Sequence, residues 1–215
     1  ERCSTYLKHF LICLALFQVQ VFKTNPRSAT VKLKAKNKSA RFPIVKRLSD
    51  FNYQFQPSVN QQQIDEFATM SFLDNQENII FIGSPGAGKT HLSIELVIEA
   101  CRQVVRTLFI NCHELILRLK AAQEKQHLER VMHRYERYDL LIIDELGTAD
   151  IGNKAKLLFQ LINGRYERKS TIITQVGGTV LNSTATAEAI LDRLVYHSHV
   201  IKIKGKSYRL ASVSS

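Results

Sequence analysis

The residues Gly83-Ser84-Pro85-Gly86-Ala87-Gly88-Lys89-Thr90 fit the pattern G-x-x-x-x-G-K-[ST] in full. Each residue type answers a requirement of phosphate chemistry. Glycines let backbone N–H groups turn inward and approach phosphate oxygens closely. A helix opening near Thr90 points its positive dipole end at the same anions. Lys89 adds a mobile cation for the β- and γ-phosphates, and the Thr90 hydroxyl is a ligand for Mg2+. His91 follows at the helix start. Together they are the expected ATP-binding set.

The other half of such a site is a carboxylate at the end of a neighbouring strand. Asp144-Glu145 follows the apolar run Leu140 to Ile143. Asp144 is the expected second Mg2+ ligand, and Glu145 the group that orients or deprotonates the attacking water. Thr174 and Gln175 end the apolar run TIIT, and either is placed to read the γ-phosphate. Arg193 lies late in a helical stretch. By spacing alone it reads as a surface arginine paired with Asp192 or Glu188. His197 and His199 flank a strand and read as surface or core histidines rather than metal ligands. Arg165, Arg168 and Lys169 form a basic helix end that suits the helix dipole and is a secondary candidate for contact with DNA or a neighbour.

Alternating elements must position these residues. A helix capped by Ser58 or Asn60 is expected to run to about residue 74. Apolar strands are expected over 78–82, 107–110, 139–143, 171–174 and 199–203. Helices are expected between them over 90–102, 113–137 with a break near Gln126, 154–167 and 187–196. Five apolar strands separated by helices describe an α/β fold, a five-stranded parallel sheet with helices on both faces. Phe51, Tyr53 and Phe55 alternate ahead of the first helix. They read either as aromatics packed on the core or as a wall beside the nucleotide base.

The chain has 215 residues, a formal charge of +11 and a hydrophobic share of 45%. Residues 1–49 carry eleven Lys or Arg against Glu1, leaving nineteen basic and eighteen acidic residues for 50–215. The basic character therefore belongs to the leader, and it points to an anionic partner, of which nucleic acid is the commonest. Lys32, Lys34, Lys36 and Lys38 recur at every second position, which would place them on one face of a strand. Cys3, Cys13, Cys101 and Cys112 form no Cys-x-x-Cys pair, so reduced thiols and a cytoplasmic protein are expected. The apolar run Phe10 to Phe17 is too short to span a membrane. It reads as a short buried helix or strand, or as an aberrant leader.

From about Ala40 to Leu210 the chain resembles the IstB-like ATPases, AAA+ helper proteins of insertion-sequence transposition related to the DnaC helicase loaders. The stretches that carry the resemblance are ARFPIVK, DFNYQFQPSV, IDEFATMSFL, NIIFIGSPGAGKTHL, DLLIIDELG, LLFQLINGRYERKSTIIT and AILDRLVYHSHVIKIKGKSYRL. The resemblance implies a P-loop NTPase of AAA+ type, ATP and Mg2+ as cofactors, duplex DNA as a partner, head-to-tail assembly of subunits on it, and a transposase of the same element. It also implies that Arg193, in the DRL motif, is an arginine finger acting in trans. Residues 1–49 would be a basic N-terminal segment (1–28 atypical for the family), 50–210 the ATP-binding domain, and 211–215 a tail. Three departures stand out. Gln175 occupies the place of an expected Asn and begins a shortened loop. Residues 1–28 do not look like the family's helical DNA-binding leader. No C-terminal helical lid is expected after Leu210. A helicase loader and an ATP-binding protein without hydrolysis remain competing readings. A P-loop kinase is disfavoured by Asp144-Glu145.

Overall fold

The computed structural model describes residues 19–21, 31–33, 51–146, 155–176, 193–205 and 207–208. Strand β3 (Asn78–Gly83) is followed by α2 (Lys89–Arg102), β4 (Thr107–Asn111), α3 (Cys112–Glu124), α4 (Leu128–Glu136), β5 (Leu140–Leu146), α5 (Ala155–Arg165), β6 (Ser170–Val176) and β7 (Ser198–Ile203). Helix α1 (Gln61–Ala68) precedes them, capped by the Asn60 side chain, which accepts from the amides of Gln62 and Gln63. Two short strands come first, β1 (Val19–Val21) and β2 (Val31–Leu33).

The sheet runs β2-β1-β4-β5-β6-β3-β7. The five strands from β4 to β7 are parallel, as expected. The sheet is nevertheless seven-stranded, because β1 and β2 add an antiparallel edge beside β4. Three-residue strands give no periodic signal, which is why the expectation stopped at five. Lys32 lies in β2; Lys34, Lys36 and Lys38, like the run Phe10 to Phe17, lie outside the described residues.

Alternation along the strands divides the core into two layers. Ile80, Ile110, Leu141, Ile143 and Ile173 pack under α3, α4 and α5. Ile79, Phe81, Phe109, Ile142 and Ile172 pack under α1 and α2. Both layers are built of buried apolar side chains, so both faces of β5 are apolar, as its unbroken LLII run requires. The α3–α4 break falls at Gln126, whose φ of 55° is left-handed. Of the helix expected over 187–196, the described residues include Arg193 to Val195, which are helical.

This strand order fixes the site. β6 lies between β3, which ends in the phosphate loop, and β5, which ends in Asp144 and Glu145. The site must therefore be built across three strands, with Thr174 and Gln175 in the middle.

Candidate functional site

Two left-handed glycines shape the turn after β3, Gly86 at φ 77° and Gly88 at φ 103°. Gly88 is the N-cap of α2 and supplies no side-chain cap, and the helix's first turn carries no acidic residue. No side chain on the helix itself competes for its first amide donors, the arrangement that binds phosphate. Gly83 serves packing as well: a Cβ there would lie 2.6 Å from the Ile203 carbonyl oxygen of β7. Lys89 is buried, and its Nζ donates to the carbonyls of Gly83 and Ser84, each at 2.8 Å. The ammonium is thereby held over the loop it serves.

Asp144 lies across from Thr90. Its Oδ1 accepts from Thr90 Oγ1 at 3.0 Å and from Thr174 Oγ1 at 2.5 Å. Burial pushes the Asp144 carboxyl above the usual range against the hydrogen bonds from Thr174 and Thr90; the charge of Glu145 raises it further and Lys89 opposes. A buried carboxylate beside a threonine hydroxyl is an all-oxygen donor set, and it fits Mg2+.

Glu145 is held by a distorted backbone. Its φ is 60°, and the pairing of β5 with β6 slips between Ile143 and Leu146. Such a bulge re-aims a side chain at a cost of about 1–3 kcal/mol and recurs at functional sites. The Glu145 amide donates to Thr174 Oγ1 at 2.8 Å, and its exposed carboxylate accepts from Asn111 Nδ2 at 2.8 Å. Thr174 is fully buried, and its hydroxyl joins the two acidic residues. Gln175 is buried on β6, level with Ile82 of β3 and Leu146 of β5. The structure thus brings Lys89, Thr90, Asp144, Glu145 and Thr174 into one cluster at the C-terminal ends of the strands.

Arg193 sits elsewhere. Its Nε donates to Asn163 Oδ1 at 2.9 Å, and its guanidinium lies 4.7 Å from the Phe159 ring centroid, both on α5. Asp192 and Glu188 lie outside the described residues. His91 packs against Phe51, with ring centroids 5.6 Å apart. His199 Nε2 meets Glu77 Oε2 at 3.0 Å, and its ring packs on Phe67. The basic helix end proves largely structural. Arg165 is buried and donates to the carbonyls of Tyr135, Tyr138 and Ser170. Lys169 Nζ binds Asp139 Oδ1 at 2.7 Å. Of the three, Arg168 is the exposed one.

Two features escaped sequence reasoning. Asn111 ends β4 and caps α3 by accepting from the His113 amide, while its own amide holds Glu145. A polar residue ending an apolar strand was the available signal. Tyr208 crosses the phosphate loop, its amide donating to Gly86 O at 3.0 Å and its hydroxyl to Asn52 O at 2.9 Å. A Cβ on Gly88 would come within 3.0 Å of the Phe51 ring and 3.4 Å of the Tyr208 ring. The aromatic run therefore packs on the loop as well as on the core.

A family model described as IstB-like ATP binding protein matches residues 18–215. The ATP-binding protein of insertion sequence IS232 from Bacillus thuringiensis subsp. berliner is 41% identical, over 93% of this chain and 80% of that protein. The ATP-binding protein of insertion sequence IS21 from Pseudomonas aeruginosa is 39% identical, over 83% of this chain and 69% of that protein. Among solved structures, a DnaC helicase loader superposes with a TM-score of 0.57 at 24% identity, covering 67% of this chain and 88% of that one. AMPPCP-bound DnaA from Aquifex aeolicus superposes with a TM-score of 0.61 at 17% identity, covering 74% of this chain and 49% of that one. At those identities the likeness is one of fold, that of AAA+ P-loop proteins.

Proposed function

The chain belongs to the IstB-like ATP-binding proteins, and from that premise we propose that it hydrolyses ATP as a DNA-associated helper of insertion-sequence transposition. The supporting observation is the hydrogen-bonded series Thr90–Asp144–Thr174–Glu145, which joins the phosphate loop to the end of β5 through β6. In this reading the amides of residues 83–90 and Lys89 hold the phosphates. Thr90 and Asp144 hold Mg2+, which when bound neutralises charge on the β- and γ-phosphates. Glu145 accepts the proton of the attacking water, and Thr174 senses the γ-phosphate from the middle strand. Arg193 would complete the site of the next subunit in a head-to-tail assembly on duplex DNA. A transposase would be the partner that reads the assembly.

Hydrolysis is tested by steady-state ATP turnover with and without duplex DNA. The reading expects turnover that rises on DNA. Tight MgATP binding with no turnover under either condition would leave an ATP-dependent binding protein instead.

A further inference from the structure

Helix α4 carries a row of arginines that the ATP site does not use. Arg130, Arg134 and Arg137 follow one another at i, i+4 and i+7, which places them on one side of the helix. The opposite side, Val131, Met132 and Tyr135, is buried in the core. All three arginines are exposed, and among the described residues none has a carboxylate within ion-pair distance. Together with Arg106, just ahead of β4, they line a groove of about 900 Å³. Its lining holds four arginines against one acidic residue, Glu129. Arg106 has Asp139 at 3.9 Å, but the three helix arginines gather like charge without a paired carboxylate, so the arrangement favours an anion that spans them.

We propose that this groove is a binding surface for the sugar–phosphate backbone of duplex DNA. The inference rests on the reading above that the chain works on DNA. Three arginines over two turns of helix span roughly 10 Å at 1.5 Å per residue, enough to meet successive phosphates rather than one. Guanidinium groups bind phosphate oxygens in pairs of hydrogen bonds. Single-stranded binding relies on exposed rings that stack on bases. In the lining Tyr138 is buried and the other rings are the imidazoles of His127 and His133, the latter held 2.9 Å from Glu136 Oε2. An acidic peptide would need apolar anchor pockets, and the one aliphatic residue of the lining, Val131, is also buried.

The placement adds to the case. Arg106 and Tyr138 precede β4 and β5, so the groove opens at the end of the sheet opposite the phosphate loop. DNA bound there leaves the nucleotide site free. Arg106 also leads into β4, the strand on which β1 pairs.

The test compares two triple variants of the full chain by fluorescence anisotropy on a labelled 30-base-pair duplex over a salt series. One is Arg130→Gln, Arg134→Gln, Arg137→Gln. The other removes equal charge from surface ion pairs elsewhere, Arg102→Gln, Arg118→Gln, Lys120→Gln. The groove variant should bind about 10- to 100-fold more weakly near 150 mM salt. Its slope of log K against log salt should flatten by up to about 2.7, near 0.9 for each phosphate that the protein no longer neutralises. The control should keep the wild-type slope, and both should bind MgATP normally. Equal weakening in the two variants, or an unchanged slope in the groove variant, overturns the proposal. Tighter binding of a single strand that depends on the same arginines overturns it also. Absence of DNA binding by the wild-type chain would remove the DNA reading itself.

Discussion

Glu145 is held at three points: a left-handed backbone, an amide bond to Thr174, and a carboxylate bond from Asn111. Glu145→Gln keeps that geometry and removes the proton acceptor. It should retain MgATP affinity by calorimetry while turnover falls by about 10² or more. Turnover within about threefold of wild type, less than about 1 kcal/mol of barrier, would exclude Glu145 as the base. Lys89→Ala is expected to act earlier, at binding, because the loop loses the ammonium that Gly83 and Ser84 hold in place. An unchanged calorimetric affinity for MgATP would sink the phosphate-loop assignment. Asn111→Ala frees one carboxylate oxygen of Glu145 from β4. Turnover without DNA should then rise, with ATP affinity unchanged, if the bond restrains the carboxylate away from the water; a fall would make Asn111 an aligning group instead.

Arg165 shows how one residue joins elements. From the end of α5 it donates to carbonyls at the end of α4, before β5 and at the start of β6. Burial lowers its pKa to about 9, with the charges of Asp139 and Glu136 opposing. Arg165→Met fills similar space but strands several buried carbonyls, so a loss of about 3–5 kcal/mol is expected in urea unfolding. The midpoint should drop in full-length protein even with ATP present. A variant as stable as wild type would show that water replaces the guanidinium. None of this was legible in the sequence, where RYERK reads as a basic helix end. Local signals revealed the rest: glycine spacing marked the phosphate loop, and apolar runs marked the five parallel strands with Asp144 and Glu145 at one end. What stayed hidden depends on partners distant in sequence, such as Asn111 with Glu145 or Tyr208 with Gly86. Strand order was hidden too, since no periodicity says that β6 inserts between β3 and β5.

The whole molecule raises the question of sharing. Arg193 packs on α5 through Phe159 and Asn163, so a role in hydrolysis requires a neighbouring subunit's site. Turnover per subunit should rise with protein concentration, more steeply on DNA. Mixing Glu145→Gln with Arg193→Ala, each inactive alone, should restore part of the activity; no restoration, with turnover flat in concentration, would make Arg193 structural. The leader has its own test in the full chain. Replacing Lys32, Lys34, Lys36 and Lys38 with Gln should flatten the salt dependence of DNA binding, and an unchanged slope would place the DNA surface elsewhere. The strand order also sets a timetable. Among the described residues β3 pairs with β6 and β7 alone, and both are made after it. At about 5–20 residues per second a ribosome needs roughly 5–20 s to pass from β3 to the end of β6. Throughout that interval the apolar NIIFIG segment has no strand to join. A chain that stops before Ser170 therefore never closes its sheet, and premature termination should yield aggregates rather than a weakened ATPase.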